Sequence, residues 1–182
     1  MNGLLLAVDG GNAKTDVALF DRDGNVLGLV RGPGSSPHEH GVDGALDRIE
    51  ALVIEAGADG PVDHAELLLA GVDFPAEVQT LQARAQARGW AERVQVANDT
   101  FAVLRTGTDR GWGVAVVCGA GINCLGVGPD GREARFPALG DITGDWGGGQ
   151  DLGADAVWSA ARSEDGRGPK TSLEQLVPAH FG

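Results

Sequence analysis

A turn of glycine and polar residues near the start of the chain carries residue types that bind phosphate. It spans residues 9–15, Asp-Gly-Gly-Asn-Ala-Lys-Thr, and follows an apolar run that predicts a buried strand. Because glycine has no Cβ, the backbone N–H groups of Gly10 and Gly11 can approach phosphate oxygens closely. Residues 16–21 again predict a strand, so the turn is expected to lie in a β-hairpin.

The side chains of the same turn add groups that a nucleotide phosphate requires. Asn12, Lys14 and Thr15 supply an amide, a cation and a hydroxyl. Asp9 stands at the strand's end, where its carboxylate could hold Mg²⁺ directly or through water, because this hard cation prefers oxygen ligands. These residues predict a nucleotide-phosphate hairpin, and a plain hairpin connection is the alternative.

The spacing of this turn excludes two other phosphate-binding loops. The Walker pattern needs Gly-x-x-x-x-Gly-Lys-Ser/Thr at the start of a helix, and residues 10–15 lack that spacing. The dinucleotide pattern Gly-x-Gly-x-x-Gly is absent from the same region. The turn is therefore expected to be a hairpin loop and not one of these two motifs.

Composition narrows the class of protein. The 182 residues are 42% hydrophobic and 22% charged, as is typical of a globular protein. A formal charge of −12 argues against a broad nucleic-acid surface, and the apolar runs are too short to cross a bilayer. We expect a cytoplasmic protein whose partner is neither nucleic acid nor membrane. Cys118 and Cys124 are expected to be buried as small apolar side chains, because two cysteines make neither a disulfide framework nor a zinc site.

Hydrophobic periodicity predicts a mixed α/β fold in which helices cover a sheet with parallel and antiparallel members. Three strands come first, helices then alternate with strands, and a second hairpin follows. The predicted strands cover residues 4–8, 16–21, 26–30, 66–71, 94–97, 112–118 and 122–127, and the predicted helices cover residues 42–56, 76–88, 100–105, 154–161 and 171–177.

A second glycine turn repeats the opening arrangement. An apolar strand that ends at Cys118 runs into Gly119-Ala120-Gly121, and a strand returns from Ile122. One such turn is weak evidence of function. Two of them, each inside a hairpin, predict that two related loops hold opposite sides of one polyphosphate.

These motifs, in this order, resemble those of the sugar-kinase/Hsp70/actin superfamily, and more closely those of BadF/BadG/BcrA/BcrD-type ATPases and N-acetylglucosamine kinases. Residues 9–15 match the first phosphate motif and residues 119–124 the second. Asn98-Asp99 matches the segment that bears the catalytic aspartate. Residues 140–149 resemble the family's Gly-Asp-Glu-Gly-Ser-Gly run.

The resemblance implies an α/β, actin-like (ribonuclease H-like) ATPase lobe in which helices flank a mixed sheet. It implies an N-terminal lobe in residues 1–108 and the beginning of a second lobe in residues 109–182. Family members continue through a second lobe that completes the adenine pocket. The second lobe is therefore expected to be incomplete: either the chain is truncated, or nucleotide binding needs something besides this chain.

The chain departs from the family pattern at four positions. Ala120 and Ile122 replace the hydroxyl residues of the second phosphate motif, and each lost side-chain hydrogen bond is worth about 0.5–1.5 kcal/mol. Trp146 and Gly148 replace the Glu and Ser of the later glycine-rich run. The backbone N–H groups of Gly119, Ala120 and Gly121 are still expected to bind phosphate.

By the resemblance, Asp99 is the general base that takes the proton of a sugar hydroxyl as that hydroxyl attacks the γ-phosphate. The alternative is that Asn98-Asp99 only caps the helix that begins at Thr100. The resemblance also implies sugar contacts by Ser36, Asn98, Asp99, Asn123 and Asp145. An ordinary strand polar group is the alternative for Asn123, and a loop-stabilising turn is the alternative for Asp145.

The predicted function is ATP-dependent phosphorylation of an amino sugar, N-acetylglucosamine or glucosamine, with ATP and Mg²⁺ as cofactors. Its partner is the small-molecule sugar, and a homodimer is one expectation for its assembly. Two alternatives stay open at this point. One is an ATPase that activates a radical dehydratase and carries an iron–sulfur cluster, and the other is a non-catalytic fragment that binds sugar or nucleotide.

Overall fold

The computed structural model describes residues 3–182, apart from the side chain of residue 141. The chain divides into two compact units. The first contains the chain up to Val116 together with Cys124–Pro137, and the second contains Val117–Asn123 together with Ala138–Gly182. A lobe boundary between residues 108 and 109 stays a prediction.

A five-stranded mixed sheet forms the centre of the first unit. Its strands are β1 (Leu4–Gly10), β2 (Lys14–Asp21), β3 (Val26–Pro33), β4 (His64–Leu69) and β5 (Val94–Asn98). They lie in the order β3-β2-β1-β4-β5. The first three strands pair antiparallel, whereas β1, β4 and β5 run parallel. The predicted opening hairpins and the mixed sheet are confirmed.

Three helices of the first unit pack with this sheet: α1 (Pro37–Glu55), α2 (Pro75–Ala87) and α3 (Thr100–Gly107). The core contains fully buried apolar side chains such as Leu6, Ile49 and Leu67. The helix predicted to begin at residue 42 begins earlier, at Pro37. Proline suits the first turn of a helix because its φ is fixed and its missing N–H would be unpaired there. Gly41, with φ of 68°, kinks α1.

The carboxyl ends of the three parallel strands meet at one edge of the sheet. Gly10 of β1 lies beside Leu69 of β4, and Leu69 lies beside Asn98 of β5. The residues that follow these strands are therefore neighbours in space although they are far apart in sequence. Ligands of open parallel sheets bind at this kind of edge.

A smaller sheet contains the second hairpin. Its strands are β6 (Gly113–Cys118), β7 (Ile122–Val127) and β8 (Glu133–Arg135), in that order. Within the first unit, Leu104 of α3 packs with Ala115 and Leu125. The sequence predicted β6 and β7 but not β8, because three polar or small residues carry no strand signal.

The two cysteines do not share one environment. Cys118 is exposed and Cys124 is half-buried, and neither forms a disulfide. The expectation that both are buried is wrong for Cys118, because side chains alternate along β6 and its position shares the outward face with Val116.

The second unit contains α4 (Gly148–Glu164) and α5 (Leu173–Phe181). The buried hydroxyl of Ser163 on α4 donates to Glu174 of α5 at 2.7 Å and accepts the backbone N–H of Thr171 at 3.1 Å. The predicted helix at 154–161 begins earlier, at Gly148, because contacts with the second glycine turn fix its first residues. Among residues 3–182, no helix combines the length and the apolar character that a membrane span requires.

Candidate functional site

Asp99 directly follows β5 and stands at the start of α3, at the edge where the parallel strands end. Its backbone N–H donates to the carbonyl of Leu69 at 3.3 Å, which continues the pairing of β4 with β5 by one residue. Its side chain is half-buried. The carboxyl group is therefore anchored on the rigid sheet and is still accessible to a ligand.

The surroundings of Asp99 disfavour its ionised form. Burial, reinforced by the negative charges of Asp9 and Asp73, raises the pKa of Asp99 from an ordinary 3.8 to about 6. The backbone N–H of Thr100 and the guanidinium of Arg135 oppose this rise. A carboxylate with this pKa is ionised near neutral pH but binds a proton more readily than an exposed aspartate does, which suits a general base.

Asn98 fixes the backbone on the N-terminal side of Asp99. Its side chain is 1% exposed, and its Oδ1 accepts the backbone N–H and the hydroxyl of Thr100 at 3.0 and 2.5 Å. Its Nδ2 donates to the carbonyl of Val72 and to Asp73, both at 3.3 Å. The capping role weighed for the Asn98-Asp99 pair thus belongs to Asn98. A sugar contact by Asn98 stays a prediction.

Asp73, on the loop after β4, forms an ion pair with Arg135 of β8. Arg135 Nη2 lies 2.6 Å from Asp73 Oδ1, and the two side chains are 18% and 2% exposed, respectively. Neither residue was among the predicted site residues. The position of Asp73, shortly after a buried strand, was a usable signal for this edge. No sequence signal pointed to Arg135, because the strand β8 that contains it was not predicted.

The loop that carries Asp73 is held by Glu77 of α2. Glu77 Oε2 accepts the backbone N–H groups of Asp73 and Phe74 at 2.8 and 2.9 Å, and His38 Nε2 lies 3.4 Å from Oε1. Burial opposes ionisation of Glu77, but these hydrogen bonds outweigh it and lower its pKa. His38, Glu77 and Gly71 help to line a pocket of about 270 Å³, so this side of the loop has room for a small group.

The first glycine turn is closely packed against the end of β3. A Cβ at Gly34 would lie 1.9 Å from the carbonyl oxygen of Asn12, and Ser35 N–H donates to the carbonyl of Gly11 at 3.1 Å. Gly11 N–H donates to the carbonyl of Lys14 at 2.8 Å and closes the hairpin. Asn12 and Lys14 are exposed at its tip, where they are accessible to phosphate.

Thr15 and Lys14 of the same turn point in different directions. Thr15 is 0% exposed, and its hydroxyl donates to Ser35 Oγ at 2.8 Å. Lys14 pairs with Asp16 and lies 3.8 Å from Asp9 Oδ2. Phosphate contacts by Gly10, Gly11, Asn12, Lys14 and Thr15 stay predictions, and the buried hydroxyl of Thr15 serves the packing of the turn.

Asp9 offers an exposed carboxylate at the end of β1. Among residues 3–182, leaving aside the side chain of residue 141, no group of three or more His, Cys, Asp or Glu residues could hold a metal ion. Mg²⁺ usually keeps several waters and binds one or two carboxylates plus substrate phosphates. An exposed carboxylate near a phosphate-binding turn fits that mode, and Mg²⁺ binding by Asp9 stays a prediction.

Ser36 lies at the start of α1 with its hydroxyl buried. It is 1% exposed, makes no side-chain capping bond to α1, and its Oγ has no hydrogen-bond partner within the described part of the chain. A Cβ at Gly71, where φ is 71°, would lie 3.2 Å from that Oγ and 3.1 Å from the His38 ring. The hydroxyl therefore keeps its hydrogen-bonding capacity for a ligand.

The second glycine turn is packed against the start of α4. The N–H groups of Gly149 and Gln150 donate to the carbonyls of Gly119 and Ala120 at 2.7 and 3.0 Å. A Cβ at Gly148, where φ is 77°, would lie 2.8 Å from both of those carbonyl oxygens. The glycine that replaces the family's serine is therefore required by this packing. Phosphate binding by Gly119, Ala120 and Gly121 stays a prediction.

Asp145 and Asn123 also belong to the second unit. Asp145 accepts the backbone N–H of Gly140 at 3.0 Å and the hydroxyl of Thr143. Burial opposes ionisation, but these bonds outweigh it and lower the pKa of Asp145. The carboxylate thus stabilises its own turn, which was the alternative considered for it. Asn123 is half-buried near the start of β7. Sugar contacts by both residues stay predictions.

Comparisons with known proteins agree with the motif analysis. A family model described as the BadF/BadG/BcrA/BcrD ATPase family matches residues 6–180. The N-acetyl-D-glucosamine kinase of Dictyostelium discoideum is 27% identical over 188 residues, covering 96% of this chain and 59% of that protein. The N-acetylmuramic acid/N-acetylglucosamine kinase of Clostridium acetobutylicum is 30% identical over 176 residues, covering 93% and 57%, respectively. The chain spans about three fifths of the length of these curated relatives.

A solved structure shares the fold. It is a candidate N-acetylglucosamine kinase from Chromobacterium violaceum, with a TM-score of 0.78 and 26% identity, covering 98% of this chain and 64% of that one. The predicted α/β, actin-like fold with a mixed sheet and flanking helices is confirmed. The family resemblance drawn from the motifs is confirmed as well.

Proposed function

Because the chain belongs to the BadF/BadG/BcrA/BcrD ATPase family, we propose that its protein uses ATP to phosphorylate an amino sugar such as N-acetylglucosamine or glucosamine. The curated relatives named above are kinases of N-acetylated amino sugars. One observation from the structure supports the proposal most strongly. The carboxyl of Asp99 lies half-buried at the carboxyl edge of the parallel strands, with a pKa raised to about 6.

The chemistry assigned to Asp99 is the removal of one proton. A hydroxyl oxygen of the sugar attacks the γ-phosphorus of ATP, the bond from that phosphorus to the bridging oxygen breaks, and ADP leaves with that oxygen. The proton of the attacking hydroxyl passes to the Asp99 carboxylate. The products are a sugar phosphate and ADP, and the aspartic acid then releases its proton to water.

Phosphate binding is assigned to the exposed tip of the first hairpin, where Asn12 and Lys14 supply an amide and a cation. In the second unit, phosphate contacts through the backbone of the second glycine turn stay a prediction. Mg²⁺, held by Asp9 directly or through water, would neutralise charge that develops on the phosphates. The distance of 3.8 Å between Lys14 Nζ and Asp9 Oδ2 supports assigning both groups to the same phosphates.

In the first unit, sugar binding is assigned to Ser36, with Asp99 as the acceptor of the proton from the hydroxyl that reacts. In the second unit, the sugar contacts of Asn123 and Asp145 stay predictions. The buried hydroxyl of Ser36, which has no hydrogen-bond partner among the described residues, supports the role of Ser36 most directly. A site that hydrogen-bonds a substrate hydroxyl discriminates strongly against analogues that lack it, because its polar groups are then left unpaired. Ser36 is therefore proposed to contribute to sugar selectivity as well as to affinity.

The test is a coupled ADP-release assay with the complete gene product that contains this chain, supplied with Mg²⁺ and ATP. The panel comprises N-acetylglucosamine, glucosamine, N-acetylmuramic acid and glucose. Sugar-dependent ADP release with phosphorylated product detected by mass spectrometry is the expected result. Absence of turnover with every sugar would overturn the proposal. Calorimetric titration with sugar and with nucleotide then separates a binding protein from an inactive preparation.

A further inference from the structure

The ion pair between Asp73 and Arg135 needs an explanation beyond stability. It joins residues 62 positions apart, from the loop after β4 and from β8, and both side chains are largely buried. Removing two charges from water costs several kcal/mol per ion, so a buried pair is often no more stabilising than apolar residues of the same size. Because the Asp73–Arg135 pair interacts electrostatically with the proposed base Asp99, we look for its role in the function of that carboxyl group.

The pair is connected to Asp99 through one residue. Asp73 Oδ1 accepts hydrogen bonds from Nη2 of Arg135 at 2.6 Å and from Nδ2 of Asn98 at 3.3 Å. Asn98 immediately precedes Asp99 and fixes the start of α3 through Thr100. Asn98 thus links the ion pair to the backbone segment that carries Asp99.

Three charged groups of the first unit are among the strongest influences on Asp99. Asp9 at the end of β1 and Asp73 after β4 are negative, whereas Arg135 on β8 is positive. Asp9 and Asp73 favour the protonated form of Asp99, and Arg135 favours the ionised form. Removal of Arg135 would take away the positive charge paired with Asp73 and leave a more negative field at Asp99.

We infer that Arg135 is a positioning residue of the phosphotransfer site: by pairing with Asp73 it offsets the negative charge beside Asp99 and keeps that carboxylate free to accept the sugar's proton. The inference rests on the proposed function of Asp99. It adds a charge-balancing pair formed by Asp73 and Arg135, neither of which contacts the reacting atoms in this assignment.

The kinetic test compares two substitutions that should act in opposite directions. In the complete gene product, kcat/KM is measured against pH at saturating Mg²⁺. Arg135→Gln should move the acidic limb of the profile upward by about one pH unit, whereas Asp73→Asn should move it downward by a similar amount. Arg135→Lys keeps the charge and should leave the limb near its wild-type position, and the double variant should restore it partly.

A purely structural role gives a different pattern. If the substitutions only displaced the loop that carries Asp73, kcat would fall in both single variants while the acidic limb of the pH profile stayed in place, or the limb would move in the same direction in both. Either result overturns the inference. Thermal denaturation of each variant identifies loss of folding. Where Arg135→Gln does not fold, the comparison of Arg135→Lys with Asp73→Asn carries the test. A limb that stays in place in Asp73→Asn then overturns the inference.

A direct titration separates this inference from the proposed function. Side-chain carboxyl ¹³C shifts of the present chain are followed against pH by NMR without Mg²⁺, and the Asp99 signal is assigned from its loss in Asp99→Asn. An upward displacement of the Asp99 midpoint in Arg135→Gln and a downward one in Asp73→Asn support the inference, even if no sugar is turned over. Unchanged midpoints overturn it, even if the kinase activity is found.

Discussion

The side-chain oxygen of Asn98 accepts both the backbone N–H and the hydroxyl of Thr100, so the end of β5 and the start of α3 are tied together across Asp99. The proposed base therefore sits in a short segment whose two neighbours are buried and bonded to each other. This arrangement limits the positions that the Asp99 backbone can take. It also makes Asn98 a structural residue whose loss can be measured.

We expect Asn98→Ala to lower the free energy of unfolding by about 1–3 kcal/mol, because it leaves buried polar groups of Thr100 and Val72 without their partner. Urea denaturation measures this. Asn98→Asp is the matched control, since it keeps the Oδ1 acceptor but places a second carboxylate beside Asp73. Its loss of stability should be larger near neutral pH than near pH 4. A fully stable Asn98→Ala protein would contradict the assignment.

Asp99→Asn should stabilise the protein near neutral pH. The folded pKa of about 6 lies above the ordinary 3.8, so the folded state binds the proton more tightly and ionisation costs stability as the pH rises from about 4 to 6. This difference between the two pKa values corresponds to a loss of at most roughly 3 kcal/mol in the free energy of unfolding. Denaturation at pH 7.5 should show Asp99→Asn as the more stable protein, and the gain should vanish near pH 4. A variant less stable than wild type at pH 7.5 would contradict a raised pKa.

Ser36→Ala should separate stability from function. The Oγ of Ser36 has no partner among the described residues, so its removal should leave the melting temperature unchanged or slightly higher. In the complete gene product, the KM for the sugar should rise about 2- to 10-fold, the equivalent of one lost hydrogen bond. Ser35→Ala is the control, because it removes the acceptor of the buried Thr15 hydroxyl and should lower the melting temperature. An unchanged KM would remove Ser36 from the sugar site.

Gly148→Ser restores the family's residue and should nevertheless destabilise the second unit. The new Cβ would lie 2.8 Å from the carbonyl oxygens of Gly119 and Ala120, in backbone with φ of 77°, at a cost of about 1–3 kcal/mol or more. Gly149→Ser is the control, since its Cβ would lie 3.6 Å from Gly119 O. Hydrogen exchange at the first amides of α4 should quicken in Gly148→Ser only. Equal exchange rates in both variants would show that the contact is dispensable.

The sheet could be predicted from the sequence because its strands are short apolar runs bounded by turn residues. The residues 4–8 and 94–97 are of this kind, and both lie in observed strands. The start of α4 could not be predicted, because glycine-rich sequence disfavours helix. There, contacts of Gly149 and Gln150 with the second glycine turn decide the structure instead.

The candidate site was predictable in part. Asp9 and Asp99 follow predicted strands, so the edge that they share could be expected from parallel pairing. Asp73 lies four residues beyond the end of β4, and its importance depends on a partner, Arg135, on a strand without an apolar pattern. Burial of Ser36 also depends on the close approach of Gly71, which no local pattern in the sequence indicates.

The most direct test of the account compares the complete gene product with its Asp99→Asn variant. Sugar-dependent ADP formation is measured with N-acetylglucosamine at about pH 8, where the wild-type carboxyl is ionised, and calorimetry measures sugar affinity in parallel. The account predicts that kcat falls about 10²- to 10⁴-fold while the sugar still binds within a few-fold of wild type. Turnover that survives the substitution at a near-normal rate would contradict the assignment of Asp99 as the base.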